Sequence, residues 1–360
     1  SADGTVIRGA DLVDGFETPP PEIMDCGESG STLRFLIPVA LALKGGGRFT
    51  GHGRLMERPQ EPYFRLFTEK GIAWSLENGV LAVEGRLTPG VYALPGDVSS
   101  QFITGLLYAL PLLEGDSELV LTTALESRGY VDMTLDALAQ FGVAAEYDGD
   151  RRFRVPGNQV YRHRDLAIEG DWSNAAFWLC AGALGGGVTV AGLNRNSLQG
   201  DRAICTLLSA MGAGTAWSGS SCTAAPGPLQ PLQVDARSIP DLVPILAVTA
   251  SAAPGTTRVE YAGRLRLKES DRLEALCRLL QDLGGSAFLE GDCLVVQGGT
   301  PLTGGAVRSY GDHRIAMAAA VAASLCTGPV RLIGAEAVTK SYPRFWQDYQ
   351  SLGGIWEEIS

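Results

Sequence analysis

The feature that most constrains the fold of this sequence is an internal repeat with a period of about 70 residues. An acid next to glycine or proline precedes an apolar helical stretch in five places, at Glu28, Asp97, Asp171, Asp241 and Asp312. A glycine that closes an amphipathic helix recurs with the same period, at Gly71, Gly142, Gly212, Gly284 and Gly353. Two independent markers with one period indicate five copies of one structural unit.

Each copy has the pattern of a strand, a helix capped by the acid, a second strand, a second helix, the glycine turn and a two-stranded hairpin. Asn78-Gly79, Asp148-Gly149 and Glu290-Gly291-Asp292 are typical hairpin turns, and alternating apolar residues follow them. Units of this size are small α/β domains rather than solenoid repeats. The pattern therefore predicts an α/β (α+β) protein whose βαβαββ units group into globular lobes.

The sequence pattern predicts that Ser1 lies inside a copy of the unit. The segment Asp3-Gly4-Thr5-Val6-Ile7-Arg8-Gly9 matches the hairpin ends of the later copies, so we expect the front of a further unit to precede Ser1. Because 360 residues exceed what one core usually serves, we expect two domains. The first lobe would comprise 1–167, with the tail and two full units, and the second 168–360, with three units.

Composition excludes several classes of function. With 29 Lys and Arg against 40 Asp and Glu, the net charge is -11, which disfavours nucleic-acid binding and docking on anionic membranes. No apolar run approaches the roughly 20 residues of a membrane helix. The seven cysteines are scattered and include no C-x-x-C pair. They indicate reduced thiols in a cytoplasmic protein, without a disulfide framework or a zinc site.

Cations stand at the starts of several helices, where they oppose the helix dipole. Lys268 and Arg272 are four residues apart at the start of a leucine-rich helix, and we expect them to share one face. Arg314 follows Asp312 in a first turn, and Arg58 precedes Pro59. A surface charge cluster is the simpler interpretation, but the unfavourable placement favours an anion site.

Two helix starts carry more hydroxyl and amide donors than capping needs: Ser29-Gly30-Ser31 and Ser99-Ser100-Gln101. Helix starts bind phosphate and carboxylate readily, because their free amides and the dipole both favour an anion. For any single start, a plain cap remains the simpler interpretation.

Together these motifs resemble the 5-enolpyruvylshikimate-3-phosphate (EPSP) synthase family, the 3-phosphoshikimate 1-carboxyvinyltransferases. The resemblance runs from Ser1 to the C-terminus and is most specific at Gly96–Phe102, Ile239–Asp241, Lys268–Arg272 and Asp312–Arg314. It implies an enolpyruvyl transferase fold of two lobes, each of three units, with five units and a tail present here. It also implies a cytoplasmic enzyme of the shikimate pathway to chorismate and aromatic amino acids, usually a monomer.

The resemblance implies that shikimate 3-phosphate and phosphoenolpyruvate bind between the lobes, with no metal and no organic cofactor. The 5-hydroxyl would add to the enol carbon, and the tetrahedral intermediate would then expel phosphate. Shikimate 3-phosphate would bind to Ser99, Ser100, Gln101, Ser127, Asp241 and Lys268. Phosphoenolpyruvate would bind to Gly30, Arg58, Gln101, Arg272, Arg314 and Lys340. Asp241 would accept a proton and Glu269 would donate one, with Lys268 as the third catalytic group.

Two departures from the family pattern bear on function. Arg264 occupies a position that is often asparagine, so no role transfers to it. Phe35 follows Arg34 where many members have proline, which leaves sensitivity to the herbicide glyphosate open.

Two alternative functions remain. One is a UDP-N-acetylglucosamine enolpyruvyl transferase, although the loop 51–59 lacks the cysteine typical of that family. The other is an N-terminally truncated fragment that is inactive or only binds anions.

Overall fold

The structure of the protein is a computed structural model that describes residues 23–359. The hairpin tail expected at 3–9 lies outside this range. The first copy of the unit contains β1 (Met24–Asp25), α1 (Gly30–Lys44), β2 (Gly46–Thr50), α2 (Glu61–Glu69), β3 (Ala73–Glu77) and β4 (Val80–Glu84). Its sheet has the order β1-β2-β4-β3, in which β1 and β2 are parallel and the other pairs antiparallel.

The second and fourth copies repeat this topology. The second contains β5 (Gly90–Leu94), α3 (Ser100–Ala109), β6 (Ser117–Leu121), α4 (Arg128–Gln140), β7 (Glu146–Tyr147) and β8 (Arg152–Val155), with the order β5-β6-β8-β7. The fourth contains β12 (Gln233–Asp235), α7 (Val243–Ala252), β13 (Gly255–Glu260), α8 (Arg272–Asp282), β14 (Ser286–Glu290) and β15 (Cys293–Gly298), with the order β12-β13-β15-β14. The βαβαββ unit predicted from the repeat is confirmed.

The third and fifth copies are shorter versions of the unit. The third contains α5 (Trp172–Leu184), β9 (Val188–Val190), α6 (Ile204–Ala210), β10 (Gly214–Ser218) and β11 (Ser221–Ala225), with the order β10-β11-β9. The fifth contains β16 (Gly305–Arg308), α9 (His313–Ala323), β17 (Val330–Ile333) and α10 (Phe345–Ser351), with β16 and β17 parallel. Within 23–359, no strand precedes α5 in the third copy and no hairpin follows α10 in the fifth.

The turn chemistry follows the sequence prediction closely. All five closing glycines have positive φ, between +69° and +97°, as a left-handed helix end requires. Asn78 and Gly79, with φ of 50° and 74°, form the two-residue turn between β3 and β4.

The predicted acidic caps are correct for only two of the five helices. Asp171 and Asp312 cap α5 and α9 through their side chains. Ser29 and Ser99 cap α1 and α3, so the prediction is wrong for Glu28 and Asp97. It is also wrong for Asp241, because α7 starts at Val243 without a side-chain cap. The carboxylate of Asp241 is therefore available for other partners.

The apolar residues form two separate buried clusters. One extends from Cys26 to Val155 around α1 and α3, and the other from Trp172 to Phe345 around α5, α7 and α9. Helices α7 and α9 are buried on nearly every side, which is typical of central helices. The segment 156–170 between the clusters contains no helix or strand. This division supports the boundary between residues 167 and 168 that we propose.

Candidate active site

The two halves of the described chain meet at polar side chains. The contacts that join them include Glu28 Oε2 to Lys340 Nζ (2.5 Å), Arg58 Nη1 to Glu269 Oε1 (3.8 Å), Glu126 Oε2 to Arg264 Nη1 (2.9 Å) and the Tyr130 hydroxyl to Asp241 Oδ2 (3.0 Å). In each contact, one residue belongs to the half that contains the first apolar cluster, and the other belongs to the half that contains the second. The junction between the halves is therefore a charged surface.

Asp241 lies at the centre of this junction and is surrounded by donors. Arg272 Nη1 lies 2.7 Å from Asp241 Oδ1, Arg314 Nε 3.4 Å and Lys268 Nζ 3.6 Å. Tyr130 donates its hydroxyl to the other oxygen. Burial alone would raise the pKa of Asp241, but Arg314, Lys268 and Arg272 outweigh burial and hold this pKa well below 3.8. Asp241 is therefore ionised near neutral pH.

Arg272 is only 1% exposed and binds three carboxylates. Besides Asp241, its guanidinium donates to Asp312 Oδ2 (2.8 Å) and Glu269 Oε2 (2.7 Å). The expectation that Lys268 and Arg272 share a helical face is wrong, because α8 begins at Arg272 and Lys268 has extended backbone angles. Both side chains nevertheless converge on Asp241.

Glu269 has the same electrostatic character as Asp241. Burial opposes its ionisation, but Arg272, Lys268 and Arg58 together lower the pKa of Glu269 to about 2. Burial lowers the pKa of the Lys268 ammonium, whereas Asp241 opposes this effect. The site thus places two ionised carboxylates among four cations, counting Arg314.

A small, partly open cavity lies beside these groups. The predicted residues Ser99, Gln101, Lys268 and Arg58 line it. Ser127 joins this group indirectly, because its hydroxyl accepts from Arg264, which also lines the cavity. Ser100 is buried as the first residue of α3. The structure therefore brings the residues predicted for shikimate 3-phosphate to one region.

The residues predicted for phosphoenolpyruvate are also contiguous. A Cβ on Gly30 would lie 2.7 Å from Arg58 Nη1, so the glycine allows the guanidinium to approach the start of α1. Lys340 donates to Glu28 and, at 2.7 Å, to the carbonyl of Gly311, just before Asp312. Arg272 has most of its donors occupied by carboxylates, whereas Arg58 faces the cavity.

Sequence reasoning missed two residues of this site. Arg34 lines the cavity and donates from Nη1 to Gln101 Oε1 at 2.8 Å. Burial and the neighbouring charge of Arg58 lower the pKa of Arg34 to about 9. Arg34 could have been noticed as a charge in the apolar helix α1. Tyr130, three residues after Ser127, has no such local signal, since its partner Asp241 is 111 residues away.

Three of the cations have buried donors that remain unused. Arg58 Nε, Arg264 Nε and Arg314 Nη1 are buried without a hydrogen-bond partner among residues 23–359. A buried donor without a partner is costly in free energy, which an anionic ligand would recover. The same range contains no group of three side chains suited to hold a metal ion, and no helix in it is both long and apolar enough to cross a membrane.

Repeated α/β units whose junction concentrates buried cations with unused donors are typical of a protein that binds small anionic molecules. Residues 1–349 match the sequence model of the family described as EPSP synthase (3-phosphoshikimate 1-carboxyvinyltransferase), and the chain belongs to this family. The 3-phosphoshikimate 1-carboxyvinyltransferase of Clostridium kluyveri is 48% identical over 337 residues, 93% of this chain and 79% of the relative. The 3-phosphoshikimate 1-carboxyvinyltransferase of Clostridium acetobutylicum is 47% identical over 340 residues, which are 94% of this chain and 79% of that relative.

Solved structures share the fold. EPSP synthase from Acinetobacter baumannii superposes with a TM-score of 0.74 at 24% identity, covering 95% of this chain and 81% of that chain. The enolpyruvyl transferase NikO from Streptomyces tendae superposes with a TM-score of 0.75 at 22% identity, and the match covers 90% of this chain and 76% of that chain. The fold class predicted from the repeat and the resemblance is confirmed, and the matches favour the EPSP synthase family over the UDP-N-acetylglucosamine enolpyruvyl transferases.

Proposed function

We propose that this chain transfers the enolpyruvyl group of phosphoenolpyruvate to the 5-hydroxyl of shikimate 3-phosphate and releases phosphate. Membership of the EPSP synthase family supports this reaction. The observation that carries the proposal is the pair Asp241 and Glu269, held by one buried arginine, Arg272, at the junction of the two halves. An addition that deprotonates a hydroxyl and protonates a methylene needs two such groups.

The cations and hydroxyls divide between the two substrates. We place shikimate 3-phosphate against the set Ser99, Ser100, Gln101, Ser127, Asp241 and Lys268. We place phosphoenolpyruvate against the set Gly30, Arg58, Gln101, Arg272, Arg314 and Lys340. Arginine suits both anions, since its planar fork donates two parallel hydrogen bonds to carboxylate or phosphate. This assignment includes no metal and no organic cofactor.

The electrostatics suggest how the proton transfers proceed. The ionised Asp241 would accept a hydrogen bond from the 5-hydroxyl and take its proton as the oxygen attacks the enol carbon. Glu269 is ionised among its cations, so it must first gain a proton. Two anionic substrates would neutralise Arg58 and Lys268 and so raise the pKa of Glu269. It would then protonate the methylene, which becomes a methyl group in the tetrahedral intermediate. The Glu269 carboxylate left by that step would take a proton back from the methyl group as the C–O bond to phosphate breaks, and phosphate would leave with the electrons of that bond. The cations stabilise charge on the departing phosphate.

The test is phosphate release from phosphoenolpyruvate with shikimate 3-phosphate as acceptor. We expect release by the wild-type chain and a loss of roughly 10²–10⁴-fold in kcat for Asp241→Asn. Asp235→Asn, which alters an exposed aspartate before α7, is the matched control and should retain activity. Release with UDP-N-acetylglucosamine instead would identify the sister reaction. No release with either acceptor would support the fragment that only binds anions.

We further propose that the enzyme acts as a monomer in the cytoplasm. All seven cysteines lie in the described range and are free thiols, which supports a reducing compartment. Sedimentation of the purified chain would test the oligomeric state.

A further inference from the structure

Arg264 stands at the junction of the two halves, on the short 3-10 segment Gly263–Leu267 that leads directly into Lys268. Its Nη1 donates to Glu126 Oε2 at 2.9 Å and to Ser127 Oγ at 3.1 Å, and it lies 3.4 Å from the carbonyl oxygen of Arg237. All three contacts are therefore made by Nη1. They fix the orientation of the planar guanidinium.

The other edge of the guanidinium makes no hydrogen bond to a described residue. Nε is buried and has no hydrogen-bond partner among residues 23–359, and Nη2 donates to none of them. Arg264 lines the cavity together with Ser99 and Lys268. The adjacent donors Nε and Nη2 form the fork that binds two oxygens of one phosphate group. Nη1 is held by its protein partners, whereas Nε and Nη2 have none among the described residues. The guanidinium is therefore oriented so that these two donors can bind such a group.

Ser127, which Arg264 contacts, has an unusual backbone conformation. Its φ of 53° and ψ of 43° lie in the left-handed region, which a non-glycine residue adopts at a cost of about 1 kcal/mol or more. The residue is 1% exposed, and its hydroxyl donates to the carbonyl of Arg237 across the junction at 3.2 Å. The strained conformation thus keeps the Ser127 hydroxyl beside the guanidinium of Arg264.

We propose that Arg264 binds the phosphate monoester of the acceptor substrate through Nε and Nη2, and completes a subsite with Ser99, Ser127 and Lys268. Glu126 and Ser127 hold the guanidinium in position from behind. Arg264 selects for a phosphorylated acceptor, because its charge and fork gain nothing from a neutral hydroxyl in the same place. The inference rests on the proposed function, since it takes shikimate 3-phosphate as the acceptor.

The test is calorimetric binding of shikimate 3-phosphate and of unphosphorylated shikimate to the purified full chain. For Arg264→Gln we expect a 10- to 100-fold weaker affinity for shikimate 3-phosphate, roughly the effect of one lost charge-assisted contact. The affinity for shikimate and the KM for phosphoenolpyruvate should not change. Arg264→Lys should recover part of the loss, because it restores the charge but not the fork. Arg258→Gln, at a half-buried arginine of β13 that pairs with Glu290, is the matched control.

Glu126→Gln separates ligand binding from a purely structural role. If Arg264 served only to join the halves through Glu126, both variants would lose affinity for shikimate and shikimate 3-phosphate alike, and the proposal would be wrong. Retention of shikimate 3-phosphate affinity in Arg264→Gln would also overturn it, as would a wild-type chain that binds neither shikimate 3-phosphate nor inorganic phosphate. Binding without phosphate release would contradict the proposed function but leave the role of Arg264 supported.

Discussion

At the scale of single residues, this protein concentrates its buried charge in one place. Asp241, Glu269 and Asp312 share Arg272, and each of these carboxylates has a lowered pKa. Replacing buried ion pairs with apolar residues often costs no stability, so such a cluster is better explained by function than by folding. The cluster holds oppositely charged groups close together where two anions are expected to bind.

Asp201 differs from these carboxylates, because its pKa shifts in the opposite direction. It is 3% exposed and accepts a hydrogen bond from the hydroxyl of Ser173. Burial and the charge of Asp241 raise the pKa of Asp201 to about 6. Its ionisation therefore opposes folding. The contribution of Asp201 to stability is most favourable below pH 3.8, where its carboxyl is neutral in both states, and this contribution is lost as the pH rises through about 6.

We therefore predict that Asp201→Asn changes how stability depends on pH. The free energy of unfolding of the variant minus that of the wild type should increase between pH 4 and pH 7 by on the order of 2–3 kcal/mol. Urea denaturation at several pH values measures this difference. Asp165→Asn, at a fully exposed carboxylate, is the control and should give a flat difference. A flat difference for Asp201→Asn as well would show that Asp201 is not a buried, destabilising acid.

The limits of sequence reasoning are also visible at this scale. The motif Lys268–Arg272 could be located because its cations lie at an unfavourable helix start, but the motif does not specify its partners. Arg264 contacts Glu126, which is 138 residues away, so no local pattern could show its surroundings. The acidic caps at Glu28 and Asp97 were overpredicted because serine caps as well as aspartate does, and Ser29 and Ser99 take that role. Asp241 is available for ion pairs because α7 begins without a side-chain cap.

At the scale of elements, the unit could be predicted because its signals are local. A left-handed glycine or an Asn-Gly turn imposes backbone angles irrespective of the rest of the chain. The packing of the central helices was not predictable in this way. Gly105 on α3 faces α1 so closely that a Cβ would lie 2.3 Å from the carbonyl oxygen of Arg34 and 2.4 Å from the hydroxyl oxygen of Tyr63. Tyr63 donates to the Arg34 carbonyl at 2.8 Å, so this contact also positions Arg34.

We expect Gly105→Ala to destabilise the protein by roughly 1–3 kcal/mol, because overpacking outweighs the higher helix propensity of alanine. Gly186→Ala is the matched control, since a Cβ there meets no atom within 4 Å and its φ is not in the left-handed range. Urea denaturation of both variants gives the comparison. Equal stability of the two variants would mean that α1 and α3 separate at little cost. The fold would then be looser at this contact than the distances indicate.

At the scale of the whole molecule, two apolar clusters are joined by charged contacts. The pairs Glu28–Lys340 and Glu126–Arg264 are partly exposed, so each contributes little to stability and is weakened by salt. The segment 156–170 has no regular structure, and its Val160 and Ile168 are 75% and 86% exposed. The halves should therefore behave as separate folding units connected by this segment.

We predict that brief trypsin treatment cuts the described chain first after Arg162 or Arg164. Both arginines are exposed in this segment, where local opening exposes few apolar contacts and costs little free energy. Mass spectrometry should find two fragments whose shared boundary is this cut. Because charged groups form the junction, chromatography should find the fragments associated at low salt and separated at high salt. Replacing Arg162 and Arg164 with glutamine should delay this cut and leave the others unchanged. A first cut within α7 or β15 would place the boundary elsewhere. Fragments that remain together at high salt would mean that apolar contacts, rather than the ion pairs, hold the halves together.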